Sequence, residues 1–197
     1  NDYVAAKIAA LEGGTAGMLT SSGQAANFFA IFNICEAGSH VVSSSSIYGG
    51  TYNLLAVTMK KMGVDVTFVD PDCTKEELNA AFKENTKAVI VTHASNLTGN
   101  MIDIKRVGEI AKKHGLLFVV DASQTAGVYP IDVQEMNIHI LCFTGHKGLF
   151  GPQGTGGICL RKGTTIRPLK VGGSGIHSFD KEQPQFMPEL LEAGTIN

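Results

Sequence analysis

Lys147 stands in Thr144-Gly145-His146-Lys147-Gly148, directly after the apolar run Ile138-His139-Ile140-Leu141-Cys142-Phe143 and just before a glycine-rich stretch, 151–157. Upstream, a second apolar run, Leu116-Leu117-Phe118-Val119-Val120, ends in Asp121-Ala122-Ser123-Gln124. Short apolar runs bounded by turn residues read as buried strands. Two such strands deliver an amine and a carboxylate to one edge of a sheet. That pairing suits pyridoxal phosphate chemistry, in which a lysine holds the aldehyde as a Schiff base and a carboxylate keeps the pyridine nitrogen protonated.

Other polar residues fall at predicted strand ends. Ser21-Ser22-Gly23-Gln24 lies between a short strand and a helix start, where free N–H groups, the helix dipole and hydroxyls make an anion site. An ordinary N-cap by Ser21 or Ser22 accounts for the same residues. Tyr48, in Ser46-Ile47-Tyr48-Gly49-Gly50-Thr51, follows a strand and could stack on a ring face or serve as a turn tyrosine. Asn96, in His93-Ala94-Ser95-Asn96-Leu97-Thr98-Gly99, could reach the ring oxygen or build an asparagine turn. Gln124 could donate to that oxygen or face solvent. Thr144 and His146 can donate to phosphate. No single motif decides between these readings; their order along the chain carries the inference.

The elements that must position these residues follow from periodicity. Apolar positions at helical spacing run from Asp2 to Leu11, and helices are expected from about Gln24 to Cys35, Gly50 to Met62 and Ile102 to His114. Thr74 with Glu77 three residues on is a capping-box pattern. Strands are expected at Ala16 to Thr20, His40 to Ser43, Val64 to Val69, Lys87 to Thr92, at the two apolar runs above, and at Gly157 to Leu160. Alternating strands and helices, with most strands apolar on both faces, predict a three-layer αβα domain around a mostly parallel sheet. Such sheets bind ligands at the carboxyl ends of their strands. Beyond Arg167 the pattern dissolves into a Gly-, Pro- and Gln-rich stretch.

With 197 residues, one domain is the default. A hydrophobic content of 44%, a charged content of 17% and 23 glycines fit a tightly turned α/β protein. A net charge of -2 gives no electrostatic case for nucleic acid or an anionic membrane. Cys35, Cys73, Cys142 and Cys159 show no CxxC spacing, so no metal site is expected and they read as small apolar residues in a reducing compartment. No apolar stretch reaches the roughly 18 residues of a membrane span. A soluble, cytoplasmic protein is expected.

These residues carry a double resemblance. Residues 1 to about 87 resemble the Cys/Met-metabolism enzymes of fold type I, such as O-acetylhomoserine sulfhydrylase and cystathionine γ-lyase, through Ala9-Ala10-Leu11-Glu12-Gly13-Gly14, residues 20–25 (Thr-Ser-Ser-Gly-Gln-Ala) and residues 43–51. The resemblance implies phosphate binding by the Ser22-Gly23-Gln24 turn and ring stacking by Tyr48. Residues 88 to 197 resemble class V aminotransferases of the cysteine desulfurase type, through residues 92–99, 119–127, 145–148, 151–156 and Glu192-Ala193-Gly194-Thr195. This implies that Asp121 pairs with the ring nitrogen, Gln124 and Asn96 contact its oxygen, Thr144 and His146 bind phosphate, and Lys147 forms the Schiff base. It also implies that Thr195 approaches a neighbouring subunit's phosphate.

The chain therefore reads as a mosaic of the large domain of a fold type I enzyme, without the small C-terminal domain of either family. The desulfurases' persulfide cysteine has no match among the four cysteines. The expected function is a pyridoxal-phosphate-dependent lyase or transferase acting on sulfur-containing amino acids, as a homodimer or higher homo-oligomer, with Lys147 and Asp121 as catalytic residues. Two rivals stand beside it: a class V desulfurase-like or aminotransferase activity, and a truncated, non-catalytic cofactor-binding domain.

Overall fold

In a computed structural model, which describes residues 2–169, 171–173, 180, 182–187, 189–191 and 193, the apolar runs become seven strands. They are β1 (Ala16–Thr20), β2 (His40–Ser44), β3 (Asp65–Val69), β4 (Thr86–Thr92), β5 (Leu117–Asp121), β6 (Ile140–Thr144) and β7 (Gly156–Leu160). All seven join one sheet in the order β1-β7-β6-β5-β4-β2-β3. From β3 to β6 the pairs are parallel, whereas β7 runs antiparallel to both β6 and β1. The mostly parallel sheet is as expected. The reversal of β7 is not legible from its residues, because a strand buried on both faces has the same apolar pattern in either direction.

Helices cover both faces. Over one lie α2 (Gly23–Ile34), α3 (Gly49–Asn53) and a π-helical stretch, Leu54–Met59. Their Ala26, Ile31, Leu55 and Met59 pack on Val41, Ile90, Val119 and Ile140. The opposite face carries α1 (Asp2–Leu11) and α5 (Ile104–Lys113), whose Ala9, Ile104 and Ala111 close over Val89, Phe118, Val120 and Leu141. The result is three layers. Phe118, Ile140 and Leu141 are wholly buried, and each such side chain contributes about 1.5–3 kcal/mol by leaving water.

Local signals set the element ends. Thr74 and Glu77 form both halves of a capping box at the start of α4 (Lys75–Ala80). Asp103 accepts from the Arg106 N–H to cap α5, and Gly115, with φ +66°, follows its end. The helix expected from Gly50 to Met62 runs without a break over residues 49–61, with a wider π segment, Leu54–Met59, inside it. Adjacent Leu54 and Leu55, with Met59, are buried, and a wider turn brings such neighbours onto one apolar face.

Strand pairing, with β7 reversed between β1 and β6, places the strand ends side by side. Thr92 is opposite Asp121, Asp121 is opposite Cys142, and Thr144 and Thr20 both pair with Gly156. Ser44, Thr92, Asp121, Thr144 and Thr20 therefore line one carboxyl-terminal edge, where the sequence places its polar residues.

Candidate functional site

Asp121 is the last residue of β5 and is only 3% exposed. A buried carboxylate needs partners, and this one has two. Its Oδ1 accepts the Ser123 backbone N–H at 3.0 Å, and its Oδ2 accepts a proton from Asn27 Nδ2 at 2.7 Å. Side chains alternate across a strand, so Thr144, two residues beyond the Cys142 paired with Asp121, emerges on the same face.

The turn before α2 closes against this edge. Ser22 caps α2, its hydroxyl accepting from the Ala25 N–H at 3.0 Å; the ordinary N-cap role is therefore filled by Ser22. Its hydroxyl is engaged with the helix, while the first N–H groups of α2 have no acceptor within the helix. A Cβ on Gly23 would lie 3.0 Å from Ser123 Oγ and from Thr144 Cβ. A Cβ on Gly156 would lie 2.4 Å from the Ser22 carbonyl carbon. The Ser123 hydroxyl, the Thr144 side chain and the start of α2 thus meet around Gly23, where a Cβ would intrude, and the Thr144 hydroxyl donates to the Thr155 carbonyl at 3.3 Å. Thr144 Oγ1 is also 2.9 Å from Nδ1 of the exposed His146. Half-buried Lys147 follows in the same turn.

Gln24 and Tyr48 meet at the start of α3. Gln24 Nε2 donates to the Gly50 carbonyl at 3.0 Å, and Thr51 Oγ1 donates to Gln24 Oε1 at 3.3 Å. A Cβ on Gly50 would touch both Tyr48 Cε1 and Gln24 Oε1. Tyr48 is 49% exposed, with ring surface available beside the turn that starts α2. Gln124 is half-buried in the turn after β5, next to Ser123. Asn96 lies in an exposed turn beyond β4, stitched by the Ser95 hydroxyl to the Leu97 and Thr98 N–H groups. Among the described residues the Asn96 side chain has no hydrogen bond joining it to the Asp121 cluster. Thr195 lies outside the described residues.

Nothing in the motif pattern singles out Asn27, Thr51 or Ser123, yet all three touch the site. The available signal for Asn27 is spacing: it sits three residues after Gln24, on the same helix face, as a polar residue among Ala26, Phe28 and Phe29. The cysteines are free. Burial, reinforced by the Asp121 carboxylate, pushes the Cys142 thiol well above its usual range; it stays protonated and is a poor nucleophile. Among the described residues no helix is long and apolar enough to cross a membrane.

The site residues fit pyridoxal phosphate by their chemistry. A glycine turn with nearby hydroxyls and helix N–H donors suits a phosphate, a buried and twice-anchored carboxylate suits a pyridinium nitrogen, and an amine stands in the turn after β6.

Comparison with known proteins agrees. The chain is 39% identical over 186 residues to the homocysteine/cysteine synthase of Saccharomyces cerevisiae, a match covering 94% of the chain and 39% of that protein. It is 32% identical over 169 residues to a cysteine desulfurase of Dictyoglomus turgidum, covering 80% of the chain and 41% of the relative. The chain thus spans about 40% of the length of these curated relatives. A crystal structure of an O-acetylhomoserine (thiol)-lyase from Campylobacter jejuni, carrying an N'-pyridoxyl-lysine-5'-monophosphate, superposes with a TM-score of 0.76 at 29% identity, over 83% of this chain and 40% of that one. The fold is that of the fold type I enzymes. The profile described as Cys/Met metabolism PLP-dependent enzyme matches residues 1–154, a span that crosses position 87. The chain belongs to the Cys/Met metabolism PLP-dependent enzymes.

Proposed function

We propose that this chain is the cofactor-binding domain of a lyase or transferase acting on sulfur-containing amino acids. The observation that carries the proposal is the Asp121 carboxylate, buried at a strand end and held at both oxygens, beside the close approach of Gly23 to Thr144. Residues 22–24, Thr144 and His146 hold the phosphate, Tyr48 stacks on the ring, and Gln124 and Asn96 serve the ring oxygen. Lys147 would hold the cofactor through its aldehyde carbon. Bound pyridoxal phosphate supplies an electron sink for the α-carbon of an amino acid. Asp121 keeps a proton on the ring nitrogen, because an opposite charge favours the protonated form. The Lys147 amine would carry the proton to and from the α-carbon. The relatives' names, homocysteine/cysteine synthase and O-acetylhomoserine (thiol)-lyase, support chemistry at a C–S bond.

One domain, 1–197, with a join near residue 87 is part of the proposal; a single sheet draws strands from both sides of that position, and β1 pairs with β7. A homodimer or larger assembly is also proposed. Its support is exposed apolar surface: Phe150 is 95% exposed, and Leu97, Val128 and Tyr129 are exposed as well. Sedimentation over a concentration range tests this, and a strict monomer that binds cofactor tightly would refute it. A cytoplasmic location is proposed from the free cysteines.

Adding pyridoxal phosphate to the purified chain tests the central reading. A visible absorption band that borohydride fixes onto Lys147 is the expected result. No band, or label on another lysine, would overturn it.

A further inference from the structure

We propose that Asn27 is a positioning residue for Asp121, acting on the cofactor through the carboxylate that it holds. The proposal rests on the assignment of Asp121 to the ring nitrogen made above. Asn27 lies in the second turn of α2 and is 2% exposed. An amide buried this deeply costs stability unless its protons are taken up. Both have acceptors: Nδ2 lies 2.7 Å from Asp121 Oδ2 and 3.1 Å from Thr51 Oγ1.

The two anchors on Asp121 differ in kind. Ser123 grips Oδ1 through the backbone of the turn that follows β5. Asn27 grips Oδ2 from α2, 94 positions away in the chain. Together they fix the rotation of the carboxylate plane, a torsion that is otherwise broad for aspartate. Without Asn27 the carboxylate is pinned at one oxygen only. A hydrogen bond to a charged group is among the stronger kinds, so the loss is felt at this atom first.

The same amide connects Asp121 to the rest of the site. Thr51, which accepts from Asn27, donates its own proton to Gln24, and Gln24 donates to Gly50 beside Tyr48. A buried relay of polar groups strengthens each member. Asn27 is the link through which phosphate turn, ring-stacking tyrosine and acid are held in one arrangement.

The test uses the whole chain in two measurements. In cofactor-free, 15N-labelled protein, the Asn27 side-chain amide should exchange slowly with solvent, and Asp121→Ala should speed that exchange roughly tenfold or more. With pyridoxal phosphate 15N-labelled at the ring, the wild type should give the signal of a protonated nitrogen. Asn27→Leu, similar in volume but lacking the donor, should bind roughly tenfold more weakly, with the signal moved toward the neutral ring. Asn27→Asp, which sets a like charge beside Asp121, should lose at least as much, and it carries the comparison if the leucine variant does not fold. A protected amide with unchanged ring signal and affinity in the variants would overturn the positioning role while leaving Asp121 in place. An unchanged ring signal in Asp121→Asn would overturn the assignment of Asp121 itself, and the role of Asn27 with it.

Discussion

Gly156, the first residue of β7, packs so closely on Ser22 that a Cβ there would sit 2.4 Å from the Ser22 carbonyl carbon and 2.6 Å from the Gly23 nitrogen. The contact joins the reversed strand to the turn proposed to bind phosphate. Gly156→Ala should therefore displace the backbone of that turn rather than a flexible side chain. Overpacking of this kind costs about 1–3 kcal/mol, and the thermal midpoint should fall accordingly. Inorganic phosphate should also compete less well with cofactor in the variant. An alanine variant with unchanged phosphate competition would separate this contact from binding.

Lys147→Ala should abolish borohydride-trapped label while leaving the fold intact, because the half-buried side chain stands in a surface turn. Circular dichroism checks the fold and mass spectrometry of tryptic peptides checks the label. Label persisting at another lysine would reassign the residue.

Asp121→Asn should retain some cofactor but lose α-proton exchange by on the order of 10²-fold, since one aimed electrostatic partner of a developing charge has an effect of that size. Deuterium wash-in at the α-carbon of a bound amino acid measures it. Exchange at the wild-type rate would show that the carboxylate does not tune the ring.

Glu12 gives the molecule a pH-dependent stability of definite sign. It is 8% exposed, and Oε2 has no hydrogen-bond partner among the described residues. Burial first, and the Asp132 carboxylate second, raise its pKa from 4.5 to about 7. The folded state thus binds a proton that the unfolded state has released, so this group's contribution to stability is fully present below about pH 4.5 and is lost as pH rises to about 7. His139 acts in the opposite sense. Burial and the Arg161 guanidinium push it from 6.5 down to about 4, so its contribution is present above pH 6.5 and is lost as pH falls through about 4. Comparing Glu12→Gln with the wild type isolates the first effect. The variant should gain a few degrees in midpoint relative to wild type as pH rises from 4.5 to 8. A gap that stays constant with pH would show that Glu12 is ionised in the folded state throughout.

The sequence made the fold legible where periodicity and punctuation agree. Thr20, Ser44, Thr92, Asp121 and Thr144 end their strands at or within a residue of where polar residues interrupt the apolar runs. The Thr74–Glu77 capping box appears with both bonds. Less was legible where geometry depends on partners distant in sequence. The direction of β7 is set by β1 and β6 together, and the contact of Asn27 with Asp121 arises only when α2 settles on the sheet. Ser22 illustrates the limit from the other side. Its residue type suits both an N-cap and a phosphate ligand, and only the bond from the Ala25 N–H reveals that the hydroxyl oxygen caps the helix, while its O–H proton can still be donated.

The pairing of β1 with β7 also sets a timetable. Ala16 meets Leu160, 144 positions later, and among the described residues β1 stands at the end of the sheet with β7 as its one neighbour. During synthesis at roughly 5–20 residues per second, the first strand waits on the order of ten seconds for its partner to be made. The parallel strands from β2 to β6 are complete before then and can assemble without it. The turn at Ser22-Gly23-Gln24, although it comes early in the chain, gains its contact with Gly156 only after β7 has been added. A ligand gripping that turn would therefore act as a late clamp in folding, trapping the finished sheet rather than guiding its start.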